Sequence, residues 1–361
     1  MRQPVLVIGA GQAGLAAGYH LQKAGAPFVI VDAGRRIGDS WRARYDSLTL
    51  FTPRQFSTLP GLEFIGNREL YPDRDEFAAY LETYAARFRL SVRLGHAVAR
   101  LVQMDDGAFE ATFQNGDTIQ ANDVIVATGG FQVPIVPDLV GRFGSEVLHL
   151  TSATYRNPQQ LPDGPVLVIG DGASGRDIAI ECRKLQPVIL AAGKPRKLFP
   201  ERFLGKSIWW WLDLTGTLRA PADSWIGGRL KDADAFPDRG NGNASLAKSG
   251  IRMASRLVDA SGSEARFADG GSANVRTVIW AVGYRDDSSW LQVLGATDQN
   301  GTFLHSEGVS PVKGLYFVGR PWQRNRASAL VMGAGPDAEQ IVARLHGRRQ
   351  EAAVRVSEGS A

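Results

Sequence analysis

The residues best suited to chemistry in this chain are two glycine triplets. Residues 4–14 read PVLVIGAGQAG and residues 165–175 read PVLVIGDGASG, identical at eight of eleven positions. Each follows an apolar run with the pattern G-x-G-x-x-G: Gly9, Gly11 and Gly14, then Gly170, Gly172 and Gly175, with Ser174 inside the second turn. The first glycine permits a tight turn out of a strand. The second lets backbone approach a pyrophosphate, and the third lets a helix pack close to the sheet. The helix N-terminus then offers unpaired N–H groups and a partial positive charge to phosphate. Asp32 lies 21 residues beyond Gly11, placed to accept hydrogen bonds from ribose hydroxyls. The same step that leads from Gly9 to Asp32 leads from Gly170 to Gly193, which is followed by Lys194, Arg196 and Lys197. An acid there suits a bare ribose and a basic cluster suits a 2′-phosphate. The expected ligands are therefore FAD at the first triplet and NADPH at the second, with NADH if the basic turn is only solvated. Asp171, between two phosphate-binding glycines, is expected to turn its side chain away from the phosphates.

The elements needed to position these turns are legible as periodicity. PVLVIGA and PFVIVDA read as buried strands around a helix that stops at Gly25. Residues 73–88 read as an amphipathic helix, with Phe77, Tyr80, Leu81, Tyr84 and Phe88 at helical spacing. After the Pro- and Gly-rich connector YRNPQQLPDG, the strand-turn-helix unit repeats. The chain then returns through further strands to GLYFVGRPW and a closing helix. This order predicts an α/β protein in which one dinucleotide-binding unit is inserted into another. The FAD unit takes 1–150 and 291–361; the NAD(P)H unit takes 151–290, with an irregular insertion at about 198–250. The tail after His346 has no clear apolar periodicity and is expected to fray.

Bulk properties narrow the classes. The net charge is +4 and the arginines are scattered, so no nucleic-acid partner is expected. Cys182 is the single cysteine, which removes any disulfide or dithiol pair within the chain. No His/Cys/Asp/Glu grouping has metal-ligand spacing, and no apolar run is long enough to span a membrane. A strand begins within four residues, with no leader-like segment, so a cytoplasmic location is expected. Three consecutive tryptophans, Trp209 to Trp211, cannot all face one core. At least one should serve as a lid over the site or as a contact in a homodimer.

The segments VIGAGQAGLAAGYHLQKAG, VDAGRRIGDSWRARYDSLTLFTP, VIVATGG, VIWAVGYRDD and GLYFVGRPW, with the second glycine triplet, resemble the flavin-containing monooxygenase family, most closely its short bacterial members. The resemblance covers nearly the whole chain and implies two three-layer, Rossmann-like domains. It implies that Asp32 holds the FAD ribose, that Trp41 lies beside the flavin, and that Val98 holds the adenine by its backbone. Thr128 and Gly129 would close over FAD, Gly319 would approach its pyrophosphate or ribityl chain, and the turn Ser328–Leu330 would lie against the ring system. The sequence departs from the family motif Phe-x-Gly-x-x-x-His-Ser-x-x-Tyr: Phe143 and His149 are correctly spaced but Ser145 replaces the glycine, and Ser152 and Tyr155 fit only with Thr151 in place of the histidine. Thr52 stands where longer members carry an asparagine near the flavin, and is the one side chain expected to act on the oxygen adduct. The implied reaction passes hydride from NADPH to flavin and then, through a C4a-hydroperoxyflavin, one oxygen atom from O2 to a small soft nucleophile or ketone. Two other readings keep the cofactors: an NADPH-dependent reductase or oxidase that releases peroxide, and a slow redox-sensing flavoprotein.

Overall fold

The computed structural model describes residues 2–358 apart from 194, 195, 197, 234 and 235, with the backbone alone at 329 and 351–358. The first unit opens with β1 (Gln3–Ile8), α1 (Gln12–Lys23), β2 (Phe28–Val31) and the short α2 (Asp39–Arg42). It continues through α3 (Arg74–Arg87), β3 (Val92–Arg93), β4 (Val98–Gln103), β5 (Phe109–Phe113) and β6 (Thr118–Val126). The strand order is β3-β2-β1-β6-β5-β4. β1 runs parallel to β2 and β6, while β4 and β5 form an antiparallel extension.

Strand periodicity divides the first core in two. Val5 and Val7 face a helical layer that includes Leu15 of α1 and Phe77, Leu81 and Tyr84 of α3. Leu6 and Ile8 face the opposite layer, with Leu101, Phe109 and Leu291. α3 starts where its sequence stops it from fraying: Asp73 accepts from the backbone N–H groups of Asp75 and Glu76, and Glu76 returns a bond to Asp73 N, 2.9 Å.

The chain leaves through β7 (Val133–Pro134) and enters the second sheet at β8 (Leu148–Thr151), β9 (Val166–Ile169), α4 (Ala173–Arg183) and β10 (Val188–Ala191). The boundary expected at 150 falls inside β8, which pairs with the second sheet from Leu148 onward. The segment expected to be irregular holds short elements instead. These are β11 (Leu198–Pro200), the hairpin β12 (Arg202–Phe203) and β13 (Lys206–Ser207), α5 (Ile208–Leu214), α6 (Trp225–Ala233), β14 (Phe236–Asp238) and α7 (Asn243–Lys248). The parallel pair β11–β14 closes the segment on itself.

β15 (Arg252–Ala254) then joins the second sheet, and β16 (Leu257–Ser261), β17 (Glu264–Phe267) and β18 (Ser272–Asn274) form a separate antiparallel sheet. β19 (Thr277–Trp280) completes the order β15-β10-β9-β19-β8. The layering repeats: Val166 and Val168 pack on Ile178 and Cys182 of α4, whereas Leu167 and Ile169 pack with Leu257 and Phe267 of the antiparallel sheet. β20 (Tyr284–Arg285) runs antiparallel to β7, so the outward and return crossings lie side by side. β21 (Leu315–Phe317) then pairs with β6 in the first sheet, and α8 (Val331–Glu358) follows.

α8 runs on to Glu358, into the segment expected to fray. Arg348 and Arg349 both reach Asp123 on β6, with Arg349 Nε 3.0 Å from Oδ2, and Arg348 Nε donates to Tyr316 Oη at 3.1 Å. An acid fully buried in the first sheet thus anchors α8 at Arg348 and Arg349. The pair is asymmetric: Asp123 is buried, while the two arginine side chains are 30% and 28% exposed. Replacing both arginines with alanine strands a buried carboxylate and should cost about 3–5 kcal/mol in urea denaturation. Asp123→Asn frees cations that already reach water and should cost less than half as much. Equal losses in the two variants would contradict this account.

Candidate dinucleotide sites

The two glycine turns have nearly superimposable constraints. Gly9 has φ +109°, and a Cβ there would lie 2.6 Å from the Ala127 carbonyl oxygen at the end of β6. Gly170 has φ +104°, and its Cβ would lie 2.4 Å from the Ala281 oxygen at the end of β19. Cβ atoms at Gly14 and Gly175 would each come within 1.8 Å of the carbonyl of the first glycine in their own turn. These four glycines are required by the fold. Gly11 and Gly172 are different, because a Cβ at either meets no protein atom within 4 Å. Space above the turn is kept open at these two positions, as close approach of a pyrophosphate requires.

The helix ends agree. α3 is capped by Asp73, but α1 and α4 begin at Gly11 and Gly172 with no side-chain cap and no acid in the first turn. Uncapped N–H groups and the helix dipole make each end a receptor for an anion. The residues present therefore fit two dinucleotides.

Around α1 the fold brings together many of the residues singled out in the sequence. Asp32 Oδ2 accepts from Ala10 N at 2.6 Å and Oδ1 from Gly34 N at 2.7 Å, which fixes the carboxylate beside the first turn. Trp41 Nε1 donates to Gln12 Oε1, 3.3 Å, at the start of α1, and its ring meets Phe77 edge-on. Gly319, at φ +81°, comes so close to α1 that a Cβ would lie 2.7 Å from Ala13 Cβ. Gln132 Nε2 bonds both Thr128 Oγ1 and Gly129 O at 2.7 Å, and Arg320 Nη1 donates to Gly129 O at 2.9 Å.

The other expected residues have the following partners. Thr52 is buried, and its hydroxyl lies 2.7 Å from Ser57 Oγ. Ser328 Oγ closes a capping box with Asn325, accepting from Asn325 N at 3.4 Å. Val98 opens β4 opposite Phe113. His149 accepts from Trp280 Nε1 at 3.2 Å and stacks on that ring. Burial lowers the His149 pKa.

At the second turn, Asp171 is drawn into ion pairs. Its Oδ2 lies 3.2 Å from Arg176 Nη2 and its Oδ1 3.5 Å from Arg196 Nε. Lys194 and Lys197 lie outside the described residues.

Sequence reasoning missed the residues that join the two units. Arg44 Nη1 donates to Tyr284 Oη at 2.7 Å, and Ser152 Oγ lies 2.9 Å from the same oxygen. Arg239, in the insertion, donates to Leu50 O and to Asp177 Oδ2 of α4, each at 2.9 Å. Trp209 Nε1 donates to Phe51 O at 2.8 Å. Of the three tryptophans, Trp209 alone is buried, packed with Leu218 and Leu330. The insertion thus grips the segment Thr49–Thr52 from two directions. No local pattern marks these pairings, because the partners lie more than a hundred residues apart in sequence or on separate elements.

The chain belongs to the pyridine nucleotide-disulphide oxidoreductase family, whose model matches residues 6–196. It is 44% identical to the "uncharacterized oxidoreductase CzcO-like" of Geobacillus kaustophilus, over 94% of this chain and 97% of that protein. It is 30% identical to the indole-3-pyruvate monooxygenase YUCCA8 of Oryza sativa subsp. indica, over 96% of this chain and 91% of that protein. A flavin-containing monooxygenase from Stenotrophomonas maltophilia has the same fold, with a TM-score of 0.81 at 24% identity, covering 96% of this chain and 99% of that one. The protein is a flavin-dependent oxidoreductase of monooxygenase-like type. Its one cysteine, Cys182, lies on the buried face of α4, and burial pushes the thiol up to about 11. Among the described residues, no grouping of His, Cys, Asp and Glu could hold a metal, and no helix is long and apolar enough to cross a membrane.

Two outcomes test this geometry. Gly11→Val should fold with an unchanged urea midpoint in its flavin-free form yet purify without flavin. Gly14→Ala should fail to fold, because its Cβ collides with backbone. A flavin-loaded Gly11→Val protein would refute the assignment.

A separate prediction concerns Asp337 in α8, beside Ser328. It is 1% exposed, and burial raises its carboxyl from 3.8 to about 6, only partly offset by Ser328 and Arg324. Between these values the folded protein holds a proton that the unfolded chain has released, so stability falls as pH rises from about 4 to about 6. Asp337→Asn should flatten that fall and raise the thermal midpoint at pH 7. A variant that keeps the wild-type pH slope would refute it.

Proposed function

We propose that this chain is an NADPH-dependent FAD monooxygenase. It would catalyse NADPH + H⁺ + O2 + S → NADP⁺ + H2O + SO, where S is a small sulfide, amine or ketone. The observation that carries this reading is the pair of open, uncapped cradles at Gly11 and Gly172, one flanked by Asp32 and the other by Arg196. FAD, when bound, supplies hydride acceptance and oxygen activation.

The side chains supply placement. The N-termini of α1 and α4 hold pyrophosphates, and Asp32 accepts from a ribose hydroxyl with lone pairs left over from Ala10 and Gly34. Arg196 bonds a 2′-phosphate. Gln132 and Arg320 fix Thr128–Gly129 over the first ligand. Arg239 and Trp209 hold Thr49–Thr52 and help keep water out of the space between the units.

A second reading, a peroxide-releasing NADPH oxidase, is favoured by one observation. The Thr52 hydroxyl is already bonded to Ser57, which leaves it poorly placed to act on an oxygen adduct. Parallel assays of NADPH, O2 and peroxide separate the two. A monooxygenase should give less than stoichiometric peroxide with at least one sulfide, amine or ketone, together with the oxygenated product. Stoichiometric peroxide with every compound would establish the oxidase.

A further inference from the structure

We propose that Asp171 sets the second site's preference for a phosphorylated ribose, acting as a positioning residue for Arg196. The inference rests on the reading of the second cradle as a nicotinamide-dinucleotide site.

The first cradle shows how the glycine turn is tied to the end of the next strand. Ala10 stands between the first two glycines, and its N–H donates to Asp32 Oδ2 at 2.6 Å. The tie leaves an acid beside the ribose position. In the second cradle no acid follows β10, since Gly193 stands at the step that Asp32 occupies in the first. Asp171 replaces Ala10, and the tie runs through side chains: its Oδ1 lies 3.5 Å from Arg196 Nε. The connection between turn and strand end is kept, and the charge at the strand end is reversed.

The surroundings of Asp171 make it a suitable anchor. Its other oxygen lies 3.2 Å from Arg176 Nη2. Arg176 is 1% exposed and also donates to Asp171 O at 2.9 Å, Asn241 O at 2.9 Å and Asn243 Oδ1 at 2.8 Å. One carboxylate therefore sits between two guanidinium groups, and the three together carry a net positive charge. Asp171 is 7% exposed, so the acid is shielded, while the Arg196 side chain keeps 26% of its surface open. Phe236 supports the Arg196 guanidinium from below, 5.6 Å from the ring centre. The Asp171 ion pair at Nε and the Phe236 ring under the flat face both bear on how the guanidinium is turned, and a planar guanidinium is a suitable partner for phosphate.

Simple charge repulsion predicts the opposite sign, which makes the proposal testable. If Asp171 only adds negative potential, removing it strengthens binding of a 2′-phosphate; if it positions Arg196, removing it weakens that binding. The purified flavoprotein is titrated calorimetrically with adenosine 2′,5′-bisphosphate and with 5′-AMP. Variants are Asp171→Asn, Asp171→Ala, Arg196→Gln and the Asn/Gln double. Alanine copies the residue that the first turn carries, so the loop accommodates it.

Arg196→Gln should weaken the bisphosphate about 10-fold to 100-fold, the range of a charge-assisted hydrogen bond. Both Asp171 variants should weaken it severalfold, with a much smaller change for 5′-AMP. The double variant should bind the bisphosphate no more weakly than Arg196→Gln alone, and the NADPH-to-NADH ratio of kcat/KM should fall in parallel. Tighter bisphosphate binding without Asp171, equal losses for both ligands, or additive losses in the double variant would each overturn the proposal. Wild-type protein that binds neither ligand would instead overturn the nucleotide reading of the second cradle, and this proposal with it.

Discussion

Two helices in this protein are laid directly on the carbonyl of a preceding turn, and the rest of the structure depends on that approach. At Gly14 and Gly175 no side-chain atom fits, since a Cβ would stand 1.8 Å from the oxygen of Gly9 or Gly170. Packing this close aims the start of each helix at the end of the parallel sheet, where its first N–H groups have no side-chain cap. An uncapped helix end is locally unfavourable unless solvent or a ligand satisfies it. Asp73 caps α3 and Ser207 caps α5, whereas α2 and α7 also start at glycines without a side-chain cap, so what sets the two cradles apart is a bare helix end joined to this close packing and to the open approach at Gly11 and Gly172.

With two cradles fixed, their relation becomes the next constraint. β7 and β20 carry the chain across and back as a paired ribbon, and Arg44, Tyr284 and Ser152 bond across it. Arg239 adds a tie from the insertion to both Leu50 and Asp177. These contacts join Asp177 of α4 to the segment Thr49–Thr52 of the other unit. Arg239 and Asp177 are each less than a fifth exposed, which makes their ion pair stronger than one on the surface. Arg320 reinforces the joint by pairing with Asp286 while it holds the Gly129 carbonyl.

Charge then separates two sites that share one backbone geometry. Asp32 is bound by two backbone N–H groups beside the first turn; Asp171 is bound by two arginines in the second. Under the proposed function the bonded acid in the first case would accept from the ligand's sugar. In the second it is consumed in organising cations. If the two cradles hold the two nucleotides proposed, this inversion is a local means of telling them apart.

The strands, the two cradle helices, the glycine turns and Asp32 were legible in the sequence because each depends on neighbours a few residues away. Alternation along Val5–Ile8 and Val166–Ile169 already implied two buried faces, and the layers found on them match. The fate of Asp171 was only half legible: its side chain was expected to avoid phosphate, but Arg176 and Arg196 as its partners were not. The last turns of α8 read as a fraying tail because their anchor, Asp123, lies 225 residues away on β6. Likewise the sequence marks Thr52 as a candidate for chemistry but not Ser57 as the partner of its hydroxyl. Local sequence fixes backbone conformation through sterics and periodicity. Which charged or hydroxyl group meets which partner depends on where the sheets bring distant segments together, and that was decided only by the tertiary structure.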